Sequence, residues 1–348
     1  MLITAGNPGG GTARRVLVVA LLAAALAGGW YYYQQSRQET EVHQRSGLVM
    51  GTFVSLRATG AAAPAALTGS LAELERLEAI FSYSLPDSEV SRLNAAAGRG
   101  PVDVGPEMVT VLLEAQRIAE LSGGAFDVTI APVVDAWGFR PEVTEQRVPE
   151  PDELSAALAL VDYRLLRVDA AAGQAELLRE GMAVDLGAIA KGYAIDRVVG
   201  ILQAAGITSA LVDVGGNIHA LGLRPTGQAW RVGLQHPRDS QQLLGVLSLT
   251  DRNIATSGDY QRFFELDGQR YHHIIDPGTG HPAQAATMVA IVADTGMEAD
   301  AVSTAAFVLG AQEGLALVRR MGLEAVLYTN DGQLQVTAGL QALFEDPR

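Results

Sequence analysis

The 348-residue sequence contains no cysteine, which excludes disulfides, thiolate metal ligands, a cysteine nucleophile and a lipid-modified N-terminal cysteine. Basic residues are scarce: 25 Lys and Arg stand against 39 Asp and Glu, for a formal net charge of −14. Phosphate-driven binding needs clustered Lys and Arg, so general nucleic-acid binding is excluded, as is a basic peripheral membrane protein. A polyanionic substrate on so acidic a chain requires a metal or a local donor cluster to offset repulsion. Charged residues make up only 18% against 48% hydrophobic, which excludes disorder over the whole chain and leaves enough apolar material for one large domain or two smaller ones. No tandem repeat, Ser–His–Asp triad, His-rich metal set or paired-carboxylate arrangement stands out.

An N-terminal export segment comes first. Arg14 and Arg15 precede an uncharged apolar run, Val16 to Gly29, followed by Trp30, Tyr31, Tyr32 and Tyr33 and a polar stretch from Gln34 to Gln44. Basic residues before an apolar span and aromatics at its far edge match the positive-inside rule and an interfacial belt. The run is at the short end for a span of about 20 residues, and Ala25-Leu26-Ala27 offers a cleavage site, so an uncleaved anchor competes with a removable signal peptide. The expected organisation is a signal-anchor or signal peptide plus polar stalk over 1–44, then one domain over 45–348.

The body alternates helix-like and strand-like segments. Gly51–Ala58 reads as a strand, and Leu67–Phe81 and Met108–Leu121 as amphipathic helices, the second stopped by Gly123-Gly124. Arg140–Asp152, with Pro141, Pro149 and Pro151, reads as a long loop. Met182–Leu186 and Ser209–Val214 read as strands flanking a helix from Ala190 to about Ala205, and Met297–Val308 as a further helix. Mixed helices with hairpins make the class α+β rather than a parallel sheet.

One hairpin can be read in register. Asp267-Gly268 between RFFEL and QRYHHII signals a two-residue type I′ turn. It sets Leu266 opposite Gln269, Glu265 opposite Arg270, Phe264 opposite Tyr271 and Arg262 opposite His273. His272 and His273 then point to opposite faces, so only one can enter a given site. Arg262 beside His273 favours the neutral imidazole that a general base needs; two ordinary polar strand positions are the alternative.

Three further segments carry weak signals singly. Asp276-Pro277-Gly278-Thr279-Gly280 either reverses the chain or presents N–H groups to an anion. Gly215-Gly216 ends a strand at Val214 and permits close backbone approach. In VDLGAIAKGY, Val184 to Tyr193, a strand end passes through Gly187 into a helix start carrying Lys191, a setting suited to phosphate, though with neither P-loop nor dinucleotide spacing. Asp300 and Thr304, four apart near a helix start, share one face. They are hard oxygen donors of the kind Mg²⁺ takes, or else a dipole-favoured Asp and a packing Thr.

Met50-Gly51-Thr52, PDSEVSRLN from Pro86, GGAFDVTIAP from Gly123, VDLGAIAKGYAID from Val184, VDVGGN from Val212, ATSGDY from Ala255, HHIIDPGTG from His272 and ADAVSTA from Ala299 occur in that order. Together they resemble the FAD:protein FMN transferase (ApbE) family, from about Leu48 to the C-terminus. The resemblance implies an α+β fold of mixed and antiparallel sheets with packed helices, holding FAD in a cleft between two lobes. It implies an exported, Mg²⁺-dependent bacterial enzyme that cleaves FAD between its phosphates, attaches FMN through a phosphoester to a Thr or Ser of a target redox protein and releases AMP. By position, the Ala190 carbonyl, Asp300 and Thr304 hold Mg²⁺; Met50, Ala125, Phe126, Asp127, Gly187, Tyr193 and Ile274 line the FAD site; His273 is the base; and Lys191 either steers phosphate or is a solvated helix residue. Many members carry S-x-Y-x-x-x-S, whose Tyr stacks on the flavin. Here SYSLPDS puts Ser84 at that position and Tyr83 one residue early, so both are candidates to meet the ring. The expected setting is the inner membrane with the domain on the periplasmic side, or export if the segment is cleaved, and the expected partner is a membrane-associated redox protein. An FAD pyrophosphatase releasing FMN and AMP, and an exported FAD-binding or delivery protein without catalysis, are the alternatives.

Overall fold

The computed structural model describes residues 30, 41–140, 143 and 146–347. The basic pair, the apolar run and Tyr31–Tyr33 lie outside the described residues. An eight-stranded sheet frames the domain, its neighbours in the order Val42–Val49, Thr52–Thr59, Ala210–Val214, Asn217–Leu221, Arg252–Gly258, Met288–Ala293, Glu324–Tyr328 and Leu334–Val336. Every adjacent pair is antiparallel, as the α+β class requires. The edge strand starts at Val42, so the end of the polar stretch expected as stalk already pairs with the sheet, Gln44 lying opposite Arg57. Helices Ala63–Phe81, Ala190–Ala204 and Gly296–Arg320 cover one face, and their apolar sides share a core with Val54, Leu56, Val212 and Ile291 of the sheet.

Turn chemistry sets the register where the sequence announces it. Asp267 and Gly268 have φ of 52° and 76°, the type I′ signature, and the ladder from Phe264–Tyr271 to Leu266–Gln269 is the one expected. Gly215-Gly216 makes a second two-residue turn, with φ of 64° and 89°, joining Val214 to Asn217.

Three expectations shift. The first long helix begins at Ala63, with Pro64 in its opening turn, rather than at Leu67. Met182–Leu186 is buried and extended but joins no sheet beyond a single bridge from Ala183 to Ile130. Its backbone is instead held by the Asn94 side chain, which accepts from Val184 N at 2.7 Å and donates to Val184 O at 3.0 Å, and by the Val128 carbonyl, which accepts from Asp185 N at 2.8 Å. The helix expected over Met297–Val308 runs from Gly296 to Arg320 across a kink at Gly310, φ 75° and ψ −168°. Among the described residues this is the one helix long and apolar enough to cross a membrane, and 61% of its most apolar window is buried in the core.

The site depends on how this helix crosses Ala190–Ala204. A Cβ at Gly192 would lie 2.1 Å from the carbonyl oxygen of Gly296, so the two backbones meet where only glycine fits. Asp196, one turn further on, caps the second helix by accepting from Gly296 N at 2.6 Å and Met297 N at 3.0 Å. Burial raises the Asp196 carboxyl to a pKa of about 6, against those two hydrogen bonds, which lower it. Gly192→Ala is expected to destabilise the domain by at least about 1–3 kcal/mol through overpacking, read as a lower urea midpoint at unchanged slope.

Candidate active site

A cavity of about 1140 Å³ opens between the helical layer and the strand ends, and Ala190, Lys191, His273, Asp300 and Thr304 all line it. Drug-sized ligands occupy pockets of about 300–1,000 Å³, so there is room for a dinucleotide.

The hairpin register delivers His273. Its ring Nδ1 lies 3.2 Å from the carbonyl oxygen of Arg262, which also accepts from His273 N at 3.1 Å. A carbonyl can only accept, so Nδ1 carries the proton and Nε2 is left with its lone pair. Burial, with Arg262 and His272 beside it, pushes the His273 pKa down to about 3. His272 points the other way, as alternation requires: it is 3% exposed, lies edge-on to Phe307 at 5.5 Å and is 2.8 Å from the Ala283 carbonyl through Nε2. His272 is a core residue, and His273 lines the cavity.

Asp300 and Thr304 lie one turn apart on the same helix, as their spacing predicts, and both line this cavity. The Asp300 carboxylate is buried, accepting from Gly192 N at 3.0 Å and facing the Lys191 ammonium at 3.2 and 3.3 Å from its two oxygens. Lys191 is the only lysine in the chain and also donates to the Gly187 carbonyl, so it is an internal counter-ion rather than a solvated helix residue. Thr304 Oγ1 is 3.3 Å from Ser257 Oγ, which bonds Ser303 Oγ at 2.8 Å. Among the described residues no three His, Asp or Glu side chains cluster as a metal cage. Asp300, Thr304 and Ala190 all line the cavity, and a carboxylate, a hydroxyl and a backbone carbonyl are oxygen donors of the kind Mg²⁺ takes, an ion that keeps water or substrate phosphate for its remaining positions.

Met50, Ala125, Phe126, Asp127, Gly187 and Ile274 also line the cavity. Met50 does so from a left-handed conformation, φ 55°, at the tip of the first hairpin. Asp127 contributes less side chain than its position suggests. Its Oδ1 accepts from Thr129 N and Oγ1, and its Oδ2 accepts from Tyr163 N at 2.8 Å, so it braces the loop. Gly187 is fixed by donating its N–H to Asp185 at 2.6 Å. Tyr193 is absent from the lining: helical rotation from Ala190 and Lys191 turns it onto Phe81, ring centroids 5.6 Å apart at 89°, and it supports that wall from behind.

Tyr83 and Ser84 both line the cavity. Ser82 Oγ accepts from Ser84 N and Leu85 N at 3.2 Å, and Ser88, the cap of the short helix Glu89–Ala95, donates to Ser82 O at 2.5 Å. The Tyr83 hydroxyl donates to Asp135 at 2.6 Å; burial, followed by that bond, raises its pKa to about 12.

Sequence reasoning missed Arg140, Asp185, Asp213, Asn217 and Ser257 as lining residues. Asn217 carried a signal as the residue directly after the Gly-Gly turn, and Asp213 accepts from Gly216 N of that turn at 2.9 Å. Arg140 carried none, standing in a segment that reads only as loop.

Comparison with known proteins gives one consistent result. Residues 50–327 match the sequence model of the ApbE family. The FAD:protein FMN transferase of Treponema pallidum is 38% identical over 324 residues, 87% of this chain and 89% of that protein. The enzyme of the same name from Escherichia coli K12 is 34% identical over 300 residues, covering 84% and 86%. Among solved structures, the ApbE protein of Thermotoga maritima superposes with a TM-score of 0.81 at 30% identity, covering 87% of this chain and 99% of that one. The flavin transferase ApbE of Vibrio cholerae gives 0.79 at 32%, with the same coverage.

Proposed function

From the premise that this chain belongs to the ApbE family, and is therefore a flavin transferase, we propose that it moves FMN from FAD to a Thr or Ser hydroxyl of an acceptor protein, forming a phosphoester and releasing AMP in a Mg²⁺-dependent reaction. The observation that carries this reading is the convergence of His273, Lys191, Asp300 and Thr304 on one cavity.

The acceptor hydroxyl attacks the FMN-side phosphorus, the bridging P–O bond breaks towards AMP, and the hydroxyl proton passes to Nε2 of His273. Asp300, Thr304 and the Ala190 carbonyl would hold Mg²⁺, which when bound neutralises pyrophosphate charge that a chain of net −14 otherwise repels. Lys191 adds a fixed cation beside the same oxygens. A base with a pKa near 3 is neutral and weak; the diphosphate arriving next to it raises that pKa towards neutrality, since a nearby anion favours the imidazolium. The base thus gains strength when substrate is in place. The proposed setting is the outer face of the bacterial inner membrane, held by the segment before residue 42, with a membrane-associated redox protein as acceptor. The uncharged Val16–Gly29 run behind Arg14 and Arg15 supports it.

The test combines the purified full chain, FAD, Mg²⁺ and a candidate acceptor domain that a known flavin transferase labels. Flavin fluorescence on the acceptor after denaturing electrophoresis, with AMP in the same tube, is expected. AMP and free FMN without label would make the chain a pyrophosphatase, and intact FAD would make it a carrier.

The depressed His273 pKa also gives a stability prediction with a definite sign. The unfolded imidazole titrates near 6.5 and the folded one near 3, so between these values the unfolded chain binds more protons. The contribution is complete above about pH 6.5 and is lost as pH falls towards 3. In urea unfolding from pH 8 to 4.5, wild type should lose more stability than His273→Gln.

A further inference from the structure

Arg140 is the lining residue whose placement the site described so far leaves unexplained. Its guanidinium carbon lies 3.4 Å from the centroid of the Tyr83 ring, and its side chain is only 10% exposed. Nε donates to Asp135 Oδ1, Nη1 to Asp185 Oδ2 and Nη2, at 3.5 Å, to the Ala131 carbonyl. Asp135 also accepts from the Tyr83 hydroxyl, so ring and guanidinium form one locked, layered unit. Three of the five guanidinium N–H bonds are thereby used, and no acceptor among the described residues takes the other two. The ring face under Arg140 is closed to any ligand unless both ion pairs break.

We infer that Arg140 is a specificity-determining residue for the flavin: its planar guanidinium, backed by Tyr83, is the surface on which the isoalloxazine ring rests, replacing the aromatic that Ser84 does not supply. This rests on the flavin-transferase reading and deepens it. Two carboxylates against one guanidinium leave this part of the cavity without the positive charge a diphosphate needs, so it suits an uncharged ring. A delocalised planar cation stacks on an extended π-system, which an ammonium cannot do. Lysine at this position would keep the charge and lose both the plane and the fork.

The experiment titrates FAD, FMN and AMP into the full-length protein and its Arg140→Ala and Arg140→Lys variants. Flavin fluorescence reports the first two ligands, calorimetry the third, and thermal melting shows that each variant is folded. Arg140→Ala should weaken FAD and FMN about tenfold each and AMP less than about twofold; Arg140→Lys should weaken FAD and FMN several-fold despite retaining charge. Should the alanine variant not fold, the lysine variant decides alone. FAD and FMN affinities within twofold of wild type in a folded variant would overturn the assignment. So would weakening of AMP without FMN, which would put the guanidinium under the adenine. Failure of the wild-type protein to bind FAD at all would instead overturn the flavin-transferase reading.

Discussion

His273→Ala is expected to lower the rate of FMN transfer by about 10²–10⁴-fold, the range general-base catalysis supplies, while FAD affinity changes little. The hairpin that positions the ring is fixed by its I′ turn and by the backbone bond from His273 N to Arg262 O, so removing the imidazole leaves the wall standing. What is lost is Nε2, the nitrogen that the Arg262 carbonyl leaves unprotonated by holding the proton on Nδ1. The alanine variant should fall in kcat with KM for FAD nearly unchanged, and bound FAD should still quench. In the wild type, the His273 pKa should rise from about 3 towards neutrality when FAD binds, seen as a shift in its imidazole NMR titration. A pKa unmoved by FAD would contradict the proposed contact with the diphosphate.

Asp300→Asn is expected to cost about 10²–10³ in transfer rate, the scale of losing one preorganised electrostatic contact in a buried site, and to abolish the response to added Mg²⁺. Asparagine keeps the shape and can still accept from Gly192 N, which donates to Asp300 at 3.0 Å, so the helix crossing survives. It removes the only carboxylate among the proposed donors and leaves the Lys191 ammonium, at 3.2 Å, without its counter-charge. Calorimetric titration of Mg²⁺ into the FAD-bound variant should show no saturable binding at concentrations that saturate wild type. Wild-type Mg²⁺ affinity in a folded Asp300→Asn protein would remove Asp300 from the metal site.

The parts of this site legible in the sequence are those fixed by local periodicity. The two-residue Asp267-Gly268 turn set the strand register, and alternation then separated His272 in the core from His273 in the cavity. Helical spacing put Asp300 and Thr304 on one face. What failed required contacts between distant segments. Met182–Leu186 has a strand's composition, yet its hydrogen-bonding partners are the side chain of Asn94, 90 residues away, and the Val128 carbonyl, neither of them in a strand. Tyr193 belongs to a motif whose neighbours line the cavity, but rotation along the helix turns it onto Phe81. Lys191 could not be assigned because its partner, Asp300, lies 109 residues on. Arg140 is the extreme case: Tyr83, Asp135 and Asp185 meet it from three segments, and no local pattern announces such a junction.

The most direct test of the central claim is stoichiometric. Full-length protein, FAD and Mg²⁺ are mixed with excess acceptor, and AMP released is compared with FMN gained by the acceptor, read from its intact mass. Transfer through the His273–Asp300 cavity predicts a ratio close to one, with both products abolished together in His273→Ala. AMP released with no gain in acceptor mass, or mass gain unaffected by His273→Ala, would contradict it.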